Sequence, residues 1–209
     1  MKSIQFSGLL FLAISILFGC WLPGQAAAAD VNKLFTECAE CHGKNGASKD
    51  KDVPIIGGLS SAYIVQTMGF YKEKKRPCPE IKYREGPKKG QNTNMCDVAK
   101  NLGSDDTRQL ADFLAGQKFV RAQQTADAAL AKKGAEIHEH KCEKCHSNSG
   151  SEPADDSGIL AGQWMPYLAE TLKDYKEGKR PMDKKMKPKI DGLKQPDIDA
   201  LVQYYGSLK

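Results

Sequence analysis

The sequence predicts an all-α protein built from two tandem copies of one small helical domain. A pentapeptide of the form Cys-x-x-Cys-His occurs twice, at Cys38–His42 and at Cys142–His146. The residues around the two copies repeat at an offset of 104 positions, the distance from Cys38 to Cys142, and such a fixed period is typical of a duplicated unit. Apolar residues in both halves recur every three or four positions, which is the spacing of one face of an α-helix.

The pentapeptide is the attachment motif of c-type haem. Its two cysteines lie one helical turn apart, so both thiols reach the two vinyl groups of one porphyrin and form thioethers. The adjacent histidine then supplies one axial ligand to the iron. Each domain is therefore predicted to be a few helices wrapped around one covalent haem, which makes two covalently attached haem c groups in the chain. The predicted attachment and ligand residues are Cys38, Cys41, His42, Cys142, Cys145 and His146.

The repeat also locates one insertion. The offset of 104 places Tyr71–Pro77 on Tyr175–Pro181, whereas Met95 meets Met186 at an offset of 91. The difference of 13 residues is one insertion in the first half, between Pro77 and Met95.

Each half is predicted to contain three main helices. The first carries the haem motif near its end. The middle helix is predicted from apolar and aromatic residues at helical spacing, including Tyr63 in one half and Tyr167 in the other. The last helix starts near Ser104 in the first half, where serine is a typical cap. In the second half it starts near Pro196, a residue type that suits a first helical turn.

Residues 1–29 are predicted to be a secretory signal peptide. Lys2 precedes an apolar stretch, and Ala27–Ala29 offers a cleavage site of small residues before Asp30. Retention as an anchor, or lipidation at Cys20, is the alternative for this segment. The predicted mature chain consists of a first domain at 30–116 with an inserted loop at 78–96, a linker at 117–125 and a second domain at 126–209.

The composition favours an exported protein that dissolves in water. Charged residues make up 27% of the 209 residues, and the net charge is +5. No second apolar run is long enough to span a bilayer, so no stable membrane insertion is expected after removal of the leader. Haem propionates offset much of the positive charge, which argues against nucleic acid as a partner. Because c-type haem is attached outside the bacterial cytoplasm, where disulfides persist, a periplasmic location is predicted.

Methionine is predicted to be the second axial ligand of each iron. A methionine sulfur raises the reduction potential, which suits electron transfer. Met95 and Met186 stand at equivalent positions of the two halves. Met182 lies in the same loop as Met186 and is its rival.

Each ligating histidine needs a hydrogen-bond acceptor on the ring nitrogen that does not bind iron. The carbonyl of Pro54 is the candidate for His42, whereas Gly158 stands at the matching position of the second half. His138 and His140 precede the second motif on the same helix. They are predicted to be packed or solvated side chains rather than ligands.

Cys78 and Cys96 lie outside both motifs and bracket the inserted loop. In an oxidising compartment they are predicted to form a disulfide. Closing a loop of this length stabilises a protein by roughly 3 kcal/mol, and it would hold the neighbouring Met95 in place. Two free thiols or a small metal site are the alternatives. The loop itself, Glu80–Asn94, is rich in Lys, Gly and Gln and is predicted to be exposed to solvent.

With these motifs, the chain resembles the periplasmic dihaem cytochromes c. The second half is similar, more specifically, to the cytochrome subunit of flavocytochrome c sulfide dehydrogenase, in the segments Lys141–His146, Ile159–Leu168 and Arg180–Met186. The resemblance implies two class I cytochrome c domains whose haems face each other. It also implies a partner flavoprotein, carrying FAD, that oxidises sulfide and passes the electrons to these haems. The inserted loop of the first half departs from that pattern.

Electron transfer is the predicted function, and no catalysis is expected on this chain alone. One hypothesis makes the chain the haem subunit that accepts electrons from the sulfide-oxidising flavoprotein. The alternative is a stand-alone carrier that delivers electrons to a terminal oxidase or another respiratory partner, such as a small soluble cytochrome. Catalysis at a haem is a third hypothesis, and it requires an open iron site.

Three surface features are candidates for partner contact. Trp164 is a candidate anchor for a partner, or else packs against its own haem. The segments Lys72–Arg76 and Lys184–Lys189 are candidate surfaces for steering an acidic partner, although solvated surface is their default interpretation.

Overall fold

A computed structural model of the chain describes residues 30–209, so the predicted signal peptide and Cys20 lie outside the described residues. The first half contains α1 (Val31–His42), α2 (Ser61–Lys72), α3 (Met95–Lys100) and α4 (Ser104–Ala115). The second half contains α5 (Ala128–Lys141), the single turn α6 (Ser147–Gly150), α7 (Met165–Lys176), α8 (Lys187–Asp191) and α9 (Gln195–Ser207). A hairpin of two short antiparallel strands, β1 (Ile81–Lys82) and β2 (Asn92–Thr93), lies between α2 and α3. The all-α prediction is confirmed, with this hairpin as its one exception among the described residues.

The helices of the first half begin at side-chain caps that the sequence supplies. The Asp30 carboxylate accepts the N–H of Asn32 at the start of α1, and the Ser60 hydroxyl accepts the N–H of Tyr63 at the start of α2. Ser104, predicted as a cap, is instead the first helical residue of α4. The carboxylate of Asp106 accepts the N–H of Gly103, the residue immediately before Ser104. The core between these helices is formed by Phe35, Leu59, Ile64, Leu110, Ala111 and Leu114.

The second half is organised by the close packing of α5 on α9. Gly134 lies directly against α9, and a Cβ atom added there would come within 2.1 Å of the Ala200 carbonyl oxygen. Glycine is therefore required at this crossing because any side chain would push the helices apart. Pro196 lies in the first turn of α9, as predicted. The helix α5 ends at Lys141, so the second Cys-x-x-Cys-His motif follows the helix, whereas the first motif lies inside α1.

None of the helices between residues 30 and 209 combines the length and the apolar character that crossing a bilayer would demand.

The two halves meet in a buried polar joint. The Gln163 side chain accepts the N–H of Ile55 at 3.0 Å and donates to the Ile55 carbonyl at 2.9 Å. The Trp164 indole donates to the carbonyl of Ser48 at 3.0 Å, and its ring packs with Ile55 and Ala122. Trp164 is only 8% exposed and is not part of the cavity wall described below. The expectation that it anchors a partner or packs on a haem is therefore wrong; it joins the two domains.

The linker 117–125 takes part in the same joint. Ala122 is buried and donates its N–H to the carbonyl of Gly162 at 2.7 Å. The Gln124 side chain donates to the carbonyl of Gln163 at 2.7 Å. The linker is thus an extended segment laid along the second domain rather than a free tether.

Replacing Gln163 with alanine is expected to lower the free energy of unfolding of the haem-loaded protein by about 2 kcal/mol or more, because both backbone groups of Ile55 lose a buried partner. The measurement is denaturant-induced unfolding. Gln195→Ala is the control, since Gln195 is exposed and bonds only to Asp199. The control should change stability by less than about 0.5 kcal/mol. Equal losses in the two variants would contradict the joint.

Candidate haem sites

One continuous cavity of about 1880 Å³ runs through both halves of the molecule. A site for a single small ligand is usually about 300–1,000 Å³, so this cavity has room for more than one group. Its wall contains the predicted cofactor residues of both halves, namely Cys38, Cys41, His42, Met95, Cys142, Cys145, His146 and Met186. The fold therefore brings the two motifs, 104 positions apart in the chain, to one interior space.

His42 is held as a neutral imidazole with one defined tautomer. It is buried, and its Nδ1 lies 2.9 Å from the Pro54 carbonyl oxygen. A carbonyl only accepts, so Nδ1 carries the proton and Nε2 keeps its lone pair for a metal. Burial lowers the pKa of His42, which also favours the neutral, metal-binding form. The hydrogen bond predicted between His42 and Pro54 is present.

His146 is oriented by a residue that the sequence comparison missed. Its Nδ1 lies 3.2 Å from the hydroxyl oxygen of Ser157, and that hydroxyl donates its own proton to the Cys145 carbonyl at 2.9 Å. The Ser157 oxygen is therefore free to accept the Nδ1 proton. Burial lowers the pKa of His146 as well. The two halves differ here, as expected. The acceptor for the histidine Nδ1 proton is a backbone carbonyl in the first half and a serine hydroxyl in the second.

The cysteine thiols of the motifs do not have the character of catalytic nucleophiles. Burial raises the pKa of Cys38 to about 11 and also raises the pKa values of Cys41 and Cys142. Nucleophilic cysteines have lowered pKa values instead. The two-cysteine motifs therefore suit attachment of a group better than acid–base or nucleophilic catalysis.

All three methionines predicted as ligands or rivals face the same cavity. Met95 is the first residue of α3, whose N-cap Asn94 bonds to the N–H of Asp97. Met182 and Met186 are both partly buried on the second core and both line the cavity. The structure does not separate Met182 from Met186, and the choice of Met186 stays a prediction.

The inserted loop is closed by a bond between Cys78 and Cys96, whose Cα atoms are 5.8 Å apart. It is not the fully exposed loop that its composition suggested. Tyr83 is 7% exposed, and its hydroxyl donates to Glu37 on α1 at 2.5 Å. Lys88 donates to the same carboxylate at 2.7 Å. The alternation of Ile81 and Tyr83 with polar residues is the sequence signal for this hairpin.

Two buried arginines have free donors at the cavity. Arg76 and Arg180 stand at equivalent positions of the repeat, are 6% and 7% exposed, and line the cavity. Each guanidinium lies over a tyrosine ring, 4.6 Å from the centre of Tyr71 and 5.1 Å from that of Tyr175. Within residues 30–209, the Nε of neither arginine has a hydrogen-bond partner. An unpaired buried donor is costly, so the cavity fits a cofactor with acidic groups such as the haem propionates.

The burial of Arg76 removes one end of the predicted steering segment Lys72–Arg76 from the surface. Lys72, at the other end of the predicted steering segment, donates to the Leu102 carbonyl at 2.8 Å. Lys75 pairs with Glu73. Glu73, Lys74 and Lys75, in the middle of this segment, are exposed, which agrees with its default interpretation as solvated surface.

The two other histidines are a packed residue and a solvated one. His138 is 2% exposed and bonds through Nδ1 to the Tyr205 hydroxyl at 2.8 Å and through Nε2 to Glu143. His140 is exposed at the cavity rim. His138 is absent from the cavity wall, so its ring nitrogens are used by the protein itself.

Two helical domains, each placing a haem-attachment motif on a shared cavity, define the class of dihaem proteins with class I cytochrome c domains. A family model described as Cytochrome c matches residues 28–118, and one described as Cytochrome C oxidase, cbb3-type, subunit III matches residues 129–204. Two covalent haem c groups are accordingly the cofactors of this chain.

Similarity over nearly the whole chain identifies the family within this class of dihaem proteins. Cytochrome c4 of Pseudomonas aeruginosa is 30% identical, over 94% of this chain and 98% of that protein. The crystal structure of reduced recombinant cytochrome c4 from Pseudomonas stutzeri superposes with a TM-score of 0.69 at 26% identity, covering 87% of this chain and 98% of the other. The cbb3-type cytochrome c oxidase subunit FixP of Azorhizobium caulinodans is 26% identical, over 68% of this chain and 44% of its own length. The chain belongs to the cytochrome c4 family and is a dihaem electron carrier.

Because Glu37 anchors the hairpin, the free energy of unfolding is expected to depend on pH through this carboxylate. Hydrogen bonds from Lys88 and Tyr83 lower the pKa of Glu37. A carboxylate with a lowered pKa contributes stability above its unfolded-state pKa, and that contribution is lost as the pH falls through the folded-state pKa. The free energy of unfolding of the wild type should therefore exceed that of Glu37→Gln at neutral pH, and the gap should close in acid. Denaturant unfolding at a series of pH values measures this gap.

Glu136→Gln is the matched control because Glu136 is exposed on α5 and forms no ion pair with the other described residues. Its difference from the wild type should stay nearly constant with pH. A pH-independent gap for Glu37→Gln would contradict the anchoring.

Proposed function

We propose that this dihaem carrier works in the periplasm as a stand-alone protein that relays single electrons from a donor to an oxidase or a similar respiratory acceptor. The observation that supports it is the shared cavity, which brings both attachment motifs and both arginines into one interior space. The residues of both motifs would hold two haems in this interior, where they would supply one-electron chemistry away from solvent. The similarity to an oxidase subunit favours an oxidase as acceptor.

The residues of the site have distinct roles in this proposal. His42 and His146 are the proximal ligands, each with its tautomer held by a bond from Nδ1. Met95 and Met186 are the distal ligands. When bound, haem supplies the one-electron chemistry.

The surrounding chain sets the electrostatics of the two sites. Arg76 and Arg180 offset the acidic groups of the cofactors, and the apolar cores keep water away. The Cys78–Cys96 bond restrains the residue next to Met95. No described residue is needed as an acid, base or nucleophile.

A sulfide-oxidising flavoprotein as the electron donor is the second candidate. It is supported by the segments Lys141–His146, Ile159–Leu168 and Arg180–Met186, which resemble the cytochrome subunit of flavocytochrome c sulfide dehydrogenase. In that case the same two sites would receive electrons from a bound FAD subunit. Catalysis at a haem is disfavoured because methionines of both domains line the cavity.

Purification of the native protein from periplasmic extract separates these functions. A stand-alone carrier is expected to elute without a flavin. It should take up one electron per haem from a small reductant and pass these electrons on to an oxidase preparation. Stable co-elution of a flavoprotein at one-to-one stoichiometry would replace the first candidate with the second. Rapid peroxide turnover by the isolated protein would overturn both.

The methionine ligands are tested by the ferric absorption band near the red end of the visible spectrum, which reports iron–methionine bonding. Met95→Ala and Met186→Ala are each expected to remove about half of this band and to lower one of the two midpoint potentials, because a thioether ligand raises the potential. Met182→Ala is the matched control, from the same loop as Met186, and should leave the band intact. Loss of the band in Met182→Ala instead would make Met182 the ligand.

A further inference from the structure

A chain of hydrogen-bonded polar groups runs through the second domain from the surface to the cavity. His138 on α5 is buried, and its Nδ1 lies 2.8 Å from the hydroxyl oxygen of Tyr205 on α9. Its Nε2 bonds to the carboxylate of Glu143, whose side chain is 42% exposed. Tyr205 is buried as well and lines the cavity, as the motif residue Cys142 does. The chain therefore links a solvent-facing carboxylate to an attachment site of the second haem.

The inner end of this chain lies against the sulfur of Cys142. Burial raises the pKa of the Cys142 thiol, and the Tyr205 hydroxyl is the largest influence that opposes the rise. A hydroxyl has this effect when it donates a hydrogen bond to the sulfur. The Tyr205 hydroxyl therefore has two neighbours, the sulfur on one side and the His138 ring on the other.

The first domain has no counterpart of this chain. The repeat aligns His138, Glu143 and Tyr205 with Leu34, Ala39 and Leu114, in that order. All three aligned residues are apolar and belong to the core of the first domain. The polar chain is therefore not required by the fold and sets the second domain apart.

Attachment of a haem changes which atoms of this chain can donate. A free Cys142 thiol has a proton to share, whereas a thioether sulfur has none and only accepts. Once the thioether has formed, its contact with Tyr205 is a hydrogen bond only if the hydroxyl donates. That hydroxyl has one proton, so it then accepts from Nδ1 of His138 rather than donating to it.

Both ring nitrogens of His138 are donors in that arrangement. Nδ1 donates to Tyr205, and Nε2 donates to the carboxylate of Glu143, which only accepts. The hydrogen bond from His138 lowers the pKa of Glu143, which keeps this group a carboxylate. A histidine that donates from both ring nitrogens is an imidazolium and carries a positive charge.

The other titratable groups near His138 come from α9, from the motif and from its own helix. The ring of Tyr204 on α9 packs on the His138 ring, with the ring centres 5.4 Å apart. Burial lowers the pKa of His146 in the motif, and His138 lowers it further. More distant groups are His140 and Lys141 on α5 and the ion pair of Lys133 with Asp197 between α5 and α9. Glu143 is thus the charged group that His138 meets directly.

We infer that His138 and Tyr205 are positioning residues that couple a proton to the second haem. With the haem attached at Cys142, His138 carries a positive charge, and the Tyr205 hydroxyl donates to the thioether sulfur. A nearby positive charge favours ferrous over ferric iron, so it raises the midpoint potential of this haem. As the pH rises, His138 loses its Nδ1 proton, the Tyr205 hydroxyl turns to donate to Nδ1, and the potential falls.

Electron uptake at the second haem is therefore linked to proton uptake. When one electron reaches this haem, up to one proton moves from solvent to Nδ1 of His138. The first domain has Leu34 at the equivalent position and no group that titrates there. The inference goes beyond the carrier function, because it requires only the two covalent haems and no particular donor or acceptor.

Spectroelectrochemical titration of the haem-loaded protein from about pH 5 to about pH 9, the range in which histidine titrates, tests this coupling. The midpoint potential that Met95→Ala leaves unchanged belongs to the second haem. In the wild type it should fall with rising pH, so that the ratio of ferrous to ferric haem at a fixed electrode potential drops by about threefold to tenfold. His138→Leu, which introduces the residue of the first domain, and Tyr205→Phe should lose most of this dependence. His138→Leu should also lower this potential in acid.

Tyr204→Phe and His140→Gln are the matched controls. Tyr204 is the neighbour of Tyr205 on α9, but its hydroxyl forms no hydrogen bond with the other described residues. His140 is exposed at the cavity rim. Both controls should keep the pH dependence of the wild type. A potential of the second haem that does not change with pH in the wild type would overturn the inference. Dependence that survives in His138→Leu, or that disappears in His140→Gln, would overturn it as well.

Nitrogen NMR of isotopically labelled histidine in the reduced haem-loaded protein gives an independent readout. The signals of His138 are identified by their loss in His138→Leu. At about pH 6, His138 is expected to carry protons on both ring nitrogens. A proton on Nε2 alone at this pH would overturn the inference, whatever the potentials show.

Discussion

Filling one shared cavity is the constraint on which this structure depends. Three main helices per domain make a thin core, and in both halves residues of these helices line the cavity. Covalent haem supplies the apolar surface that such small domains lack. The helices, the tautomers of His42 and His146 and the burial of Arg76 and Arg180 are all arranged with respect to that cavity.

Patterns that depend on spacing could be predicted from the sequence. The two motifs, the helices and the insertion follow from a repeat visible in one chain, and the Pro54 acceptor follows from its place after the motif. Ser157 could not be predicted, because it lies one position away from the residue that the repeat matches. Trp164 and Gln163 were equally out of reach, since their partners, Ser48 and Ile55, are more than a hundred residues away in the chain.

The hairpin was missed for a different reason. A loop rich in lysine and glycine has the composition of solvent-exposed chain, but its contacts depend on two particular acids. Glu37 and Asp52 bind Lys88 and Arg84, and the Tyr83 hydroxyl donates to Glu37. The composition of a segment does not show which of its residues will pair with which. The contacts of this loop become visible only when the structure places it against α1.

The joint at Gln163 makes the surface of each domain depend on the other. Its amide takes both backbone groups of Ile55, and the neighbouring Trp164 covers the same seam. A single domain released from this chain would present to water an indole ring and an apolar seam that now face the other domain. Each domain therefore depends on the other to cover these groups, and neither half of the chain has a complete water-facing surface by itself.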